Sequence, residues 1–255
     1  LDAVLQKHDI QRVAAVKMDI EGHECPVLQG GKKLLSTVRP SFIQFETKRG
    51  DDNCVTNLLT AAGYSIGTKK GHDGNTVASI QPHDRKVDEP AHHNATDPCL
   101  KPDTGMVATT VRDSNGTPKF RMAVYDGDFI SGEIQTNNAW EIHDPQQLAD
   151  LADGILSPPD DGVFIDIGGN LGYYSLLFAH RGNRVFYIEP LPRNYEAMQA
   201  SLCMNPELQR RVTVLPIALS SETQAAQKTS TCRVSGAGWG RNNWGNGKLE
   251  CGHRA

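Results

Sequence analysis

The chain has 255 residues, 38% of them hydrophobic and 22% charged, with a formal net charge of -4. That composition fits a soluble globular protein of one large or two small domains, and its acidic balance gives no electrostatic case for a nucleic-acid partner. Six cysteines occur without a C-x-x-C pair, which argues against a zinc centre and permits disulfides without requiring them.

Residues 1–6 carry apolar positions at 1, 4 and 5, as one or two helical turns would. Residues 13–20 (VAAVKMDI) read as a buried strand ending on acids, and residues 25–35 as a helix entered through Pro26. Residues 41–46 (SFIQFE) alternate like a strand; residues 53–62 follow as a helix closed by Gly63. Residues 64–67 and 76–80 read as short strands joined by the polar turn KKGHDGN. Residues 81–104 hold four prolines and little apolar material, the pattern of a linker. His83, His92 and His93 fall there and read as solvated loop residues.

Beyond the linker, residues 120–125 with Phe129 and Ile130 suggest a hairpin around DGD, and residues 145–156 a helix. Three strands follow at 163–166, 185–189 and 212–216, separated by helices at 171–179 and 194–205. Residues 229–255, rich in Gly, Asn and Trp, read as an irregular loop. Residues 173–179, the longest apolar stretch, are far too few to span a bilayer. The start shows no signal-peptide pattern, and Leu1 in place of Met reads as a piece of a longer protein. Sequons at Asn94 and Asn115 leave the compartment open between cytoplasm and secretory lumen.

The segment Asp166-Ile167-Gly168-Gly169-Asn170-Leu171-Gly172 places a glycine turn between a strand and a helix. Glycine lets the backbone turn sharply and leaves room for a ligand against it. The dinucleotide spacing G-x-G-x-x-G fails, because Asn170 and Tyr173 stand where glycines are required. Asp166 would repel a phosphate and suits a cationic ammonium group. Glu189 ends the next strand 23 residues on, where an acid can accept hydrogen bonds from ribose hydroxyls. A ribose joined to a cationic amino acid is S-adenosylmethionine. The bland alternative is a plain α/β core with a glycine turn and a surface Glu.

The second constellation is Lys17 to Glu24 (KMDIEGHE). Carboxyl ends of strands line the ligand crevice of an open parallel sheet, so Asp19 and Glu21 can position a hydroxyl or the methyl donor. His23 can act as a base near neutral pH. Glu24 suits the acidic first turn of a helix. A divalent ion held by these acids is the lesser reading, and no metal site is assigned.

Together VFIDIGGNLGYYSLLFA, FYIEPLPRNYEAMQASLCMN and VTVLPIALSS resemble the first half of FkbM-type methyltransferases. LDAVLQKHDIQRVAAVKMDIEGHECPVLQGGKKLLSTVRPSFIQFET resembles the second half, so the order is reversed. DGDFISGEIQTNNAWEIHDPQQLADLA resembles the segment before the glycine turn. The resemblance implies an α/β fold: a Rossmann-like seven-stranded, mostly parallel sheet with helices on both faces, in circularly permuted order. Residues 1–80 are the C-terminal half of that fold, 81–104 a linker and 105–255 the N-terminal half, the halves forming one domain. A tandem array, the tail of one unit followed by the head of the next, is the other arrangement.

The resemblance further implies a class I S-adenosylmethionine-dependent O-methyltransferase. Asp166, Gly168, Gly169, Asn170, Gly172 and Glu189 bind the cofactor, and Asp19, Glu21 and His23 are the catalytic candidates. Gly169 replaces the family's commoner Ala, a departure expected to be benign. Trp140-Glu141 closes over the cofactor or packs as an ordinary aromatic. Trp239 and Trp244 offer a polar aromatic surface that could stack on a sugar; the blander and favoured reading is a glycine-rich loop pinned by two tryptophans. The expected partner is a small-molecule or glycan acceptor. The rival readings are a non-catalytic unit of an array and a nucleotide-dependent oxidoreductase; the failed glycine spacing weakens the second.

Overall fold

The computed structural model describes residues 1–46, 52–68, 75–80, 98–101, 104–221, 230–235 and 248–253. His83, His92, His93, Asn94, Trp239, Trp244 and most of the expected linker lie outside them. In chain order the strands are β1 (Val13–Met18), β2 (Phe42–Glu46), β3 (Ser65–Ile66), β4 (Asn75–Ser79), β5 (Met106–Arg112), β6 (Pro118–Tyr125), β7 (Val163–Ile167), β8 (Val185–Ile188), β9 (Val212–Leu215), β10 (Ser230–Ser235) and β11 (Lys248–His253). The helices are α1 (Asp2–Lys7), α2 (Glu24–Gln29), α3 (Asp52–Ala61), α4 (Phe129–Asn137), α5 (Gln146–Asp150), α6 (Tyr173–Arg181), α7 (Pro192–Met204) and α8 (Pro206–Gln209).

Seven strands form one sheet in the order β3-β4-β2-β1-β7-β8-β9. β2, β1, β7, β8 and β9 run parallel, whereas β4 is antiparallel to both β2 and β3. From β7, the chain steps outward to β8 and β9 on one side, while β1 and β2 lie on the other. The winding therefore reverses between β7 and β1, which makes that pair the topological switch point of a Rossmann-like α/β fold.

The central strands are apolar but for Lys17 and Asp166 because both sheet faces are covered; VAAVKM and VFIDI are buried at every position. Alternate residues feed two cores. Ala15, Phe42, Phe164, Val185 and Tyr187 face one, with Phe178 of α6 stacked on Phe164 at a ring-centroid separation of 3.7 Å. Val16, Met18, Ile43, Phe45, Ile165 and Phe186 face the other, with Leu5 of α1 and Val27 and Leu28 of α2. The β5–β6 hairpin lies against α7, whose Ser201 accepts from Ala123 N and whose neighbour Asn205 accepts from Arg121 N. Disulfides join Cys25 to Cys54, across α2 and α3, and Cys99 to Cys203 in α7.

Four expectations need correction. The hairpin turn is at 113–117, where Asp113 accepts from Asn115 N and Thr117 N and Gly116 takes φ 82°. The DGD segment instead starts α4, because Asp128 caps it by accepting from Ser131 N and Oγ. α5 ends at Asp150, and α2 ends before Gly30-Gly31, with Leu34–Val38 forming a separate π-helical turn. The C-terminal residues 229–255 are not wholly irregular, because β10 and β11 pair antiparallel, with Cys232 opposite Cys251.

Candidate functional site at the carboxyl end of the sheet

The carboxyl ends of β8, β7 and β1 lie side by side. Asp19 N donates to Ile167 O at 3.0 Å, and Gly168 N to Ile188 O at 2.9 Å. The glycine turn is thus pinned between the neighbouring strand ends. Its glycines serve packing. A Cβ on Gly168 would collide with the Asp19 carbonyl oxygen, one on Gly169 with the Tyr187 ring, and one on Gly172 with Met198 Sδ. Gly168 and Gly172 also take φ 74° and 90°, which only glycine adopts without cost. The expected role of leaving space for a ligand is therefore not what these three hydrogens provide. Glycine at 169, where the family more often has alanine, suits this chain, because Tyr187 already occupies the volume a methyl would need.

Asp166 is 0% exposed, beneath the turn. Its Oδ2 accepts from Ser175 Oγ at 2.7 Å, while its Oδ1 is buried without a hydrogen-bond partner. Burial pushes its pKa up, against the pull of Lys17 and Ser175. In this conformation Asp166 lies under the turn and is not part of the crevice wall.

Glu189 is 4% exposed just past β8. Its Oε2 accepts from Asn170 N at 3.0 Å and its Oε1 from Leu191 N at 2.8 Å. Burial raises its pKa to about 7, although Leu191, Asn170 and Asn194 bond the charged form. Asn170 itself takes φ 49°, with its carbonyl accepting from the Tyr187 hydroxyl.

Just past β1, Asp19 is one-third exposed and accepts from Lys17 Nζ at 3.4 Å. The turn after it puts Glu21 at φ 53° and Gly22 at φ 88°. His23 is the N-cap residue of α2, at half-buried depth. Glu24 is buried, and its Oε1 accepts from Ile20 N at 3.1 Å; burial raises its pKa to about 6. Glu24 therefore holds the turn that carries Asp19 and Glu21. Carboxylate oxygens of Asp19, Glu21 and Glu46 lie within 4.8 Å of one another.

Sequence reasoning missed a row of polar side chains beside these acids. Lys17 pairs in register with Asp166 of β7 and with Gln44 of β2. Gln44 Nε2 donates to the Tyr174 hydroxyl, which donates to Glu141 Oε2 at 2.9 Å; Asn75 Nδ2 donates to Glu141 Oε1 at 3.0 Å. Glu141 takes φ 63°. Positive φ costs a non-glycine residue about 1–3 kcal/mol, and such strain gathers at functional sites; Glu21, Glu141 and Asn170 all carry it here. Trp140 packs its ring edge-on to the exposed Phe129, at 6.2 Å. One signal was available in advance: a lysine inside the otherwise apolar run VAAVKM.

Residues 1–66 match the family model of the methyltransferase FkbM domain. That segment contains β1, α2, β2 and β3 with Asp19, Glu21 and His23, while the glycine turn and Glu189 lie outside it. The match covers about a quarter of the chain and shows that this segment is similar to that domain. No curated protein and no solved structure gives a significant match.

Proposed function

We propose that the protein is an S-adenosylmethionine-dependent methyltransferase acting on a hydroxyl, with a carbohydrate or glycoconjugate as acceptor. One observation carries the reading. The segment that matches the methyltransferase family places Asp19 directly against the glycine turn of the other segment, at the switch point of a single sheet.

The residues present fit the cofactor. Asn170, in the glycine turn, has a buried side-chain oxygen, Oδ1, without a partner, and Glu189 stands just past the neighbouring strand, where an acid can meet a ribose. When bound, S-adenosylmethionine supplies an electrophilic methyl group on a sulfonium. Glu189 accepts from the ribose; Asp166 keeps the potential under the turn negative, which favours a cation. Asp19 and Glu21 orient the acceptor hydroxyl, and His23 takes its proton. Transfer of this kind is an in-line displacement that depends mainly on alignment, worth roughly 7–11 kcal/mol when complete.

The family's two halves stand here in permuted order and act as one catalytic unit. Support comes from the turn Gly30-Gly31. Asp2 N donates to Gly30 O, a Cβ on Gly31 would lie 3.2 Å from Leu1 Cδ2, and one on Gly30 would lie 2.8 Å from Ser220 O. Residues at the start of α1 and the segment after β9 thus flank the same turn, which joins the two segments around one loop. The two disulfides favour folding in an oxidising compartment. No helix among the described residues is long and apolar enough to cross a membrane.

A second reading is a unit whose site no longer binds, because both Glu189 oxygens are already engaged by backbone N–H groups. Calorimetric titration with S-adenosylmethionine and with NAD separates them. One-site binding of S-adenosylmethionine, lost in Glu189→Gln, is expected. A folded wild-type chain that binds neither ligand would leave the second reading standing.

A further inference from the structure

Lys17 is 4% exposed in the middle of a buried strand. An ammonium out of water costs several kcal/mol unless it is paired, so an apolar residue would serve β1 better if packing were all that mattered. Its surroundings account for it. Asp166 is its register partner on β7. Asp19 accepts from its Nζ. The Tyr174 ring centroid lies 5.2 Å from Nζ, and the Tyr174 hydroxyl holds Glu141. Despite burial, Asp19, Asp166 and Glu141 together hold the lysine's pKa above its ordinary value, so it stays charged.

These carboxylates come from three separate places: the turn after β1, the strand under the glycine turn, and the segment between α4 and α5. We propose that Lys17 is a positioning residue, one ammonium that aims the Asp19 carboxylate at the crevice and is the countercharge of Asp166, so that the acceptor and cofactor sides share a single cation. The names of the two sides rest on the methyltransferase reading; the charge sharing does not.

The test is a double-mutant cycle on the ligand-free chain, with Lys17→Met, Asp166→Asn and the pair. Lys17→Met alone leaves a buried carboxylate without its cation and should lower the folding equilibrium constant sharply. Adding Asp166→Asn should recover at least tenfold of that loss, because contacting groups are not additive. Carbon-13 NMR of the aspartate carboxyls gives a readout that packing alone would not move: in Lys17→Met the Asp166 signal should shift toward the protonated position at neutral pH. A double variant no more stable than Lys17→Met, whether folded or not, would overturn the proposal, as would an unmoved Asp166 signal. Titrating the wild type with S-adenosylmethionine tests the methyltransferase reading separately, so the two can fail independently.

Discussion

Glu189 makes the methyltransferase reading quantitative. Its carboxyl ordinarily titrates near 4.5, and burial beside the glycine turn raises it to about 7. Below pH 7 the unliganded protein therefore holds this group mostly protonated, whereas accepting from two ribose hydroxyls requires the carboxylate. Binding must pay for removing that proton, at about 1.4 kcal/mol for each pH unit below the pKa. The affinity for S-adenosylmethionine should be flat above pH 8 and fall by roughly tenfold by pH 6. Calorimetry at pH 6.5 in buffers of different ionisation enthalpy should report release of most of one proton per site.

The stability consequence has a definite sign. The folded pKa lies above the unfolded one, so the native state holds the proton more tightly between pH 4.5 and 7. Glu189 thus stabilises the fold relative to an ionised form below pH 4.5, and that contribution is lost as pH rises through 7. The span corresponds to roughly 3 kcal/mol. Glu189→Gln removes the dependence, so the variant should gain on the wild type from pH 4.5 to 8 in denaturant melts while losing the ligand. An affinity constant across pH 6–8 with no proton released, or a stability difference that does not change with pH, would refute this account.

Three further outcomes are expected. Gly168→Ala should cost at least about 3 kcal/mol in chemical denaturation, since positive φ adds to a collision with the backbone oxygen of Asp19. Gly169→Ala should cost about 1–3 kcal/mol by overpacking against Tyr187, and a smaller residue at 187 should recover part of it in the same melts. Removing the Cys25–Cys54 disulfide, which closes 29 residues, should cost about 3–4 kcal/mol in thermal or denaturant unfolding.

The parts of this fold that could be read in advance were those written locally. Buried parallel strands need near-continuous apolar runs, and VAAVKM, VFIDI and VFYI are such runs but for Lys17 and Asp166. The glycine turn and Glu189 follow from spacing within one strand–helix–strand unit. The DGD segment misled because Phe129 and Ile130 continue an apolar pattern, and only the bond from Ser131 to Asp128 makes the acid a helix cap. The reason glycine suits position 169 was hidden differently: it depends on Tyr187, which belongs to the next strand.

The polar row of Lys17, Gln44, Tyr174, Glu141 and Asn75 was hidden for a deeper cause. No two of these residues come from one secondary-structure element, and they meet only once β1 pairs with β2 on one side and β7 on the other. Each is an unremarkable residue in its own segment; what makes them a site is register, since a slip of one residue would turn Lys17 to the opposite face. The same register explains why the row is placed where it is. The sheet reverses its winding between β7 and β1, so no crossover helix covers the gap above their ends, and side chains there must satisfy one another or a ligand. Asp166 and Gln44 each keep a buried oxygen without a partner, while Glu21, Glu141 and Asn170 hold strained backbone. Positive φ also occurs at Asp9, Arg39, Asn138 and Asp153, so it is the orphaned buried oxygens beside these strands, rather than the backbone strain, that favour the proposed ligand.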